Sequence, residues 1–160
     1  IIPEMKGTYD DAILRSTGRQ LASVLNLAYS QAITVSQPHR VRLDRTTGRY
    51  VLERTVREGE RGSSFVPVKE VRGSEGALDA RIEIEIEIRQ LAEDSATPRP
   101  AAVVPRKDSS GRPAVEAITF HPDGTAEAGE IRLRDRDGFG LALRINPTTA
   151  RVRIVELERE

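Results

Sequence analysis

The chain has 160 residues, 38% of them hydrophobic, and its 25 Lys and Arg balance 25 Asp and Glu. That length suffices for one proper hydrophobic core and is short for two, and the balanced charge lacks the basic surplus that dedicated nucleic-acid binders carry. The absence of Cys removes disulfides, thiolate nucleophiles and thiolate metal sites and leaves the redox compartment open, while no apolar run reaches the length of about eighteen residues that a spanning helix needs.

The chain opens Ile1-Ile2-Pro3 without an initiator Met, an opening that fits the tail of a removed apolar segment. Thr8 to Ser36 then reads as one amphipathic helix. Leu14, Leu21, Val24, Leu25, Ala28 and Ala32 recur at helical spacing, while Arg15, Arg19, Gln20, Asn26 and Gln31 mostly take the other faces. Such a stripe has to be covered, in the simplest case by the chain's own domain. Asp10 or Asp11 is the expected cap and Pro38 the expected stop. Gly18 in the interior costs about 1 kcal/mol relative to Ala, but its small size suits close packing against a sheet or another helix.

From Arg40 onward the pattern changes to period two. Val41 and Leu43, the turn Asp44-Arg45-Thr46-Thr47-Gly48 and Tyr50 to Glu53 predict a hairpin. Arg57 to Gly62 reads as a charged, flexible segment, and Phe65 to Val71 as a short strand that Pro67 confines to an edge or bulge. Gly73-Ser74-Glu75-Gly76 reads as its closing turn. Leu78 to Ile88 has the clearest alternation: Leu78, Ala80, Ile82, Ile84, Ile86 and Ile88 share one face, and Arg81, Glu83, Glu85, Glu87 and Arg89 the other. Between Gln90 and Pro113 four prolines exclude regular sheet over most of a long polar loop, with Ala101 to Val104 its one plausible anchor; loops of that length are usually mobile or functional. The last third reads as successive hairpins. Val115 to Phe120, Ile131 with Leu133, Leu141 to Ile145 and Val152 to Leu157 are separated by His121-Pro122-Asp123-Gly124, Asp135-Arg136-Asp137-Gly138 and Asn146-Pro147-Thr148-Thr149. The expected class is α+β, with an N-terminal amphipathic helix packed on an antiparallel β-sheet or two-sheet head. The helical arm covers residues 1–36 and the head residues 37–160, with the polar loop at about 90–114.

The search for chemistry returns no catalytic, cofactor-binding or metal-ligating set. His39 and His121 each lie beside a Pro and lack zinc-site spacing, as expected for surface or turn residues. Ser63, Ser64, Ser109 and Ser110 sit in polar loops without a nucleophile elbow. Glu83, Glu85 and Glu87 are same-face neighbours on a strand, roughly 6.5 to 7 Å apart, and suit a solvent face better than a metal site. Asp135-x-Asp137-Gly138 lacks the further ligands of a calcium loop and reads as a hairpin turn. Arg40, Arg42, Arg45 and Arg49 on the first hairpin, and Arg144, Arg151 and Arg153 near the end, are the cations available to phosphate. Asp44, Glu53, Glu156, Glu158 and Glu160 dilute them, so nucleic acid is neither singled out nor excluded. A carbohydrate-binding groove is disfavoured by an aromatic content of 4%.

Four features in order carry a resemblance. These are Leu21-Ala22-x-x-Leu25-x-x-Ala28-Tyr29-x-x-Ala32-Ile33, Pro38-His39-Arg40-Val41-x-Leu43, Thr47-Gly48-x-Tyr50 and Ile118-x-Phe120-x-Pro122-x-Gly124. Together they resemble the H-type minor pseudopilins of type II secretion systems and the related minor type IV pilins, over most of the chain outside the 90–114 loop. The chain departs from the pattern at Tyr29, where Arg is frequent, at Ala150, where a Gly turn is common, and in lacking the processing motif. The resemblance implies a pilin-like structural subunit of a pseudopilus tip, without catalytic residues or cofactors. Its implied partners are other minor pseudopilins, the major pseudopilin and secreted cargo. It also implies an inner-membrane anchor upstream of Ile1, matured by a prepilin peptidase, and a head in the periplasm. The alternative it carries is a minor type IV pilin that assembles into a pilus or binds DNA through the Arg144, Arg151 and Arg153 region.

Overall fold

The computed structural model describes residues 3–57, 59–89 and 114–158. Ile1, Ile2, the Ala101 to Val104 anchor, Ser109, Ser110 and almost all of the expected polar loop lie outside them. Among the described residues the elements are a helix α1 (Pro3–Val35) followed by nine strands: β1 (His39–Asp44), β2 (Arg49–Arg57), β3 (Ser63–Pro67), β4 (Glu75–Ala77), β5 (Glu83–Arg89), β6 (Val115–Phe120), β7 (Ala128–Arg134), β8 (Gly140–Ile145) and β9 (Val152–Leu157). They form two antiparallel sheets, one ordered β3-β2-β1-β6 with β4 also paired to β2, the other ordered β5-β7-β8-β9.

The helix begins earlier than its apolar pattern suggested. Pro3 opens it, where a missing N–H costs nothing and φ is already helical, so Asp10 and Asp11 are interior rather than caps. Asp11 instead accepts from Arg15 Nε at 3.0 Å, one turn on. The apolar stripe behaves as its spacing requires: Leu14, Leu21, Val24, Leu25, Ala28 and Ala32 are all at most 2% exposed. They share one core with Val41, Leu43 and Leu52, with Ile118 and Phe120, and with Ile131, Leu133, Leu141, Leu143 and Ile145 of the second sheet. The helix therefore closes the core against both sheets, and each fully buried Leu contributes about 1.5–3 kcal/mol. Gly18 supports that approach, because a Cβ there would lie 3.2 Å from Leu141 Cδ1.

The helix stops in a left-handed residue, Ser36, at φ 58°. Gln37 N–H donates to the Ala32 carbonyl at 3.2 Å, the long bond of a Schellman cap, and Pro38 prevents continuation. Glycine adopts that backbone without the Cβ penalty. Ser36→Gly, at an exposed position, is expected to stabilise the protein by about 0.5–1 kcal/mol in urea denaturation. An unchanged or lowered midpoint would count against the strain.

Four further expectations need correction. The expected long strand starts only at Glu83, because Asp79 accepts from Arg81 N–H at 2.9 Å and from its guanidinium at 2.9 and 2.8 Å. That local turn breaks the alternation. Leu78 is buried, but from a loop tied to Gly48 O by its N–H, and Ala80 is exposed. The Arg81 side-chain bonds, followed by its backbone bond, hold the Asp79 carboxyl down at about 2. Second, Glu75–Ala77 is a strand and not a closing turn: Gly76 pairs with Tyr50, where a Cβ would come within 2.8 Å of Tyr50 Cζ. Third, β2 runs on to Arg57 and Gly59–Arg61 forms a 3₁₀ turn where a flexible segment was expected. Fourth, His39 is 1% exposed, since β1 places it on the same face as Val41 and Leu43; its Nδ1 lies 2.8 Å from Gln37 O.

Candidate assembly surface

Polar side chains near the helix act first as fasteners. Gln20 Nε2 donates to Tyr50 Oη at 3.0 Å and to Ala77 O at 3.2 Å, tying α1 to β2 and β4. Arg15 reaches Glu156 of β9 at 2.7 Å, joining the helix to the far edge of the second sheet. This pair is exposed on both sides and contributes at most about 1 kcal/mol.

The arginines of the first hairpin are largely absorbed by structure. Arg40 Nε lies 2.9 Å and Arg42 Nε 3.9 Å from the Glu53 carboxylate, whose side chain is only 5% exposed. The Arg40 guanidinium also stacks 3.9 Å from the centroid of Phe65. Two cations around one buried carboxylate satisfy a group that would otherwise be costly to bury. These residues belong to the first sheet, whereas Arg144, Arg151 and Arg153 lie on or beside β8 and β9 of the second.

Structure does bring that second group together. Arg144 is the cross-strand partner of Arg153, and with Arg151 they line a cleft of about 1010 Å³ that also takes in Tyr29, Asp123, Asn146, Thr148 and Thr149. Asn146 shapes its rim, accepting from Thr148 and Thr149 N–H at 2.9 and 3.3 Å. The turn ends on Ala150, buried at φ 57°. This is why glycine suits the position: the left-handed backbone costs Ala about 1–2 kcal/mol. Across the rim Asp123 accepts from Thr125 N–H and Oγ1 at 3.0 and 2.6 Å; these bonds, the hydroxyl's first, lower its pKa. Tyr29 was read only as a departure from the family pattern, and Asp123, Thr148 and Thr149 only as turn residues; it takes the packing of α1 and two hairpin turns beside β8 and β9 to bring them to one cleft.

Two further clefts differ in character. One, about 500 Å³, runs between the sheets and is lined by Glu85, Glu87, Glu116 and Glu130 with Arg45 and Arg132. The other, about 1010 Å³, lies along β1, β2 and β4, with Arg42, Arg49, Lys69 and Val115 among its walls. Glu83, Glu85 and Glu87 are exposed as expected, opposite Arg134, Arg132 and Glu130 of β7. Ser63 and Ser64, expected in polar loops, lie in the edge strand β3, which runs Ser63–Pro67 and not Phe65 to Val71 because it pairs with the extended end of β2. Asp135 Oδ1 is occupied by the N–H groups of Asp137 and Phe139, at 2.9 and 3.0 Å, the arrangement of a hairpin turn. Among the described residues no three His, Asp or Glu converge as a metal cage, and no helix is long and apolar enough to cross a membrane.

One N-terminal helix laid over two antiparallel sheets defines a pilin-like fold. Two solved structures share it, both of the minor pseudopilin EpsH from the type 2 secretion system of Vibrio cholerae. The first has 12% identity and a TM-score of 0.59, covering 89% of this chain and 96% of that one. The second has 14% identity and a TM-score of 0.57, covering 95% and 97%. The profile of the family described as type II transport protein GspH matches residues 17–149, and the chain belongs to that family. No curated protein matches it by sequence.

Proposed function

We propose that the chain is a non-enzymatic structural subunit of the pseudopilus tip of a type II secretion system. Residues 1–36 act as the helical arm and residues 37–160 as the head. In this reading an apolar segment N-terminal to the arm holds the protein in the inner membrane, and the head stands in the periplasm. Its partners are other minor pseudopilins and the major pseudopilin, with secreted cargo meeting the exposed side of the head. The observation that carries this reading is the extent of the family match, which runs from the middle of α1 through the first sheet and all of the second except β9, to the Asn146 turn. Helix packing and head are thus matched together, not a single motif.

The test is recovery of the protein from its source cells, with mass analysis of its mature N-terminus and identification of its membrane neighbours. The expected result is a processed, N-methylated start upstream of Ile1 and co-purification with secretion-type pseudopilins. An unprocessed protein without pseudopilin neighbours would overturn the reading. Co-purification with pilus subunits would instead favour a minor type IV pilin.

A further inference from the structure

On the outward face of the second sheet Arg134 and Arg132 of β7 stand opposite Glu83 and Glu85, but the row beside them is electrically lopsided. Strand register places Glu87, Glu130, Arg144 and Arg153 in one row across β5, β7, β8 and β9. Strands lie about 4.8 Å apart, so carboxylates crowd one edge and guanidinium groups the other, roughly 14 Å away. Glu130 lies 3.6 Å from Arg144 Nε and offsets part of its charge. Arg151 and Arg153 are exposed and have no ion-pair partner among the described residues. Two arginines directly opposite on neighbouring strands repel, a destabilising arrangement unless an anion is supplied from outside.

The place for that anion is set by the edge itself. Among the described residues β9 pairs only with β8, so its other side offers backbone donors and acceptors to an incoming strand. Its sequence, VRIVEL, has no Pro to block pairing, and of its two charges Glu156 is held by Arg15, which leaves Arg153 for an incoming strand to meet. A strand added there continues every row of the sheet. Opposite Arg153 it needs a carboxylate; opposite Val155 and Leu157, which follow on the same face, it needs apolar side chains. A phosphate polymer would satisfy the first position and offer nothing to the other two, and it would meet Asp123 and Glu130 on either side of the arginines.

From this geometry we infer that the β9 edge and its arginine cleft form a docking site for an extended segment of a neighbouring subunit, one carrying a carboxylate opposite Arg153 and apolar residues opposite Val155 and Leu157. The inference rests on the pseudopilus reading and names the chemistry of one contact in it.

The test uses the full-length protein assembled with the other pseudopilins of its secretion system. A benzophenone photoprobe replaces Thr148, exposed on the cleft rim, or, in a separate protein, Ser23, exposed on the helix. The Thr148 probe is expected to capture a pseudopilin segment that carries an acidic residue and two apolar residues at every second position. Arg151→Glu with Arg153→Glu should reduce that capture about tenfold or more, because like charges then face each other, while capture from Ser23 is unchanged. Thr148 capture that survives the double reversal, maps to a segment without carboxylates, or falls on nucleic acid overturns the docking site. If Ser23 captures pseudopilins and Thr148 captures nothing, the docking site alone fails. If neither position captures a pseudopilin, the pseudopilus reading fails and takes the docking site with it.

Discussion

Replacing Leu25 with Asp is expected to abolish cooperative folding of the protein near neutral pH. Leu25 is 0% exposed at the centre of the helix stripe. Removing a buried Leu side chain alone costs about 2–5 kcal/mol. An ionised carboxylate in its place adds a desolvation penalty that no nearby cation offsets, since the surrounding core cluster is hydrophobic. Total stability of a domain this size is about 5–15 kcal/mol, so the combined loss is comparable with all of it. Burial raises the pKa of the introduced group. Its penalty is therefore full above the raised folded-state pKa and shrinks as the pH falls toward the unfolded value near about 4, so some folding should return on acidification. Urea denaturation followed by circular dichroism at both pH values measures this. The neighbouring Asn26→Asp, on the exposed side of the same turn, is the control and should behave as wild type. A wild-type midpoint for Leu25→Asp at neutral pH would show that the helix is not integral to the core.

The second large effect is expected at Phe120. It is 0% exposed, ends β6 opposite His39 of β1, and makes an isolated bridge to Ala126. Its ring fills the junction between the first sheet and the connection into β7. Phe120→Ala removes the largest fully buried side chain among the described residues and leaves a cavity that flanking strands cannot collapse without losing register, at a cost of about 3–5 kcal/mol. The same denaturation experiment reads it directly. A loss below about 1 kcal/mol would mean that the junction repacks.

How legible this was depended on the range of the forces involved. The six stripe residues of α1 and the inward Ile131, Leu133, Leu141, Leu143 and Ile145 could be read from periodicity, because burial on one face imposes that period directly. The turns at Asp44, Asp123, Asp135 and Asn146 were equally readable, each being closed by a side chain that accepts from backbone N–H groups two to four residues on. Leu78 to Ile82 misled for the same reason: the alternation continues through Asp79, while the Asp79–Arg81 bonds turn the chain. The start of α1 was missed because the first turn of a helix needs no apolar stripe, only a residue such as Pro3 whose φ is already set.

By itself, then, the sequence determined the apolar stripe of α1, the inward faces of β7 and β8 and most of the hairpin turns, and through an ordered set of helix and turn motifs the family to which the chain belongs. Only the tertiary structure decided that the strands divide into two sheets under one helix, that β4 exists against Tyr50, and that His39 and Glu53 are buried. The same holds for the gathering of Arg144, Arg151 and Arg153 beside Tyr29 at the β9 edge of the second sheet. Those outcomes depend on pairing between residues far apart in the chain, where register is fixed by the packing of whole faces and not by any local preference.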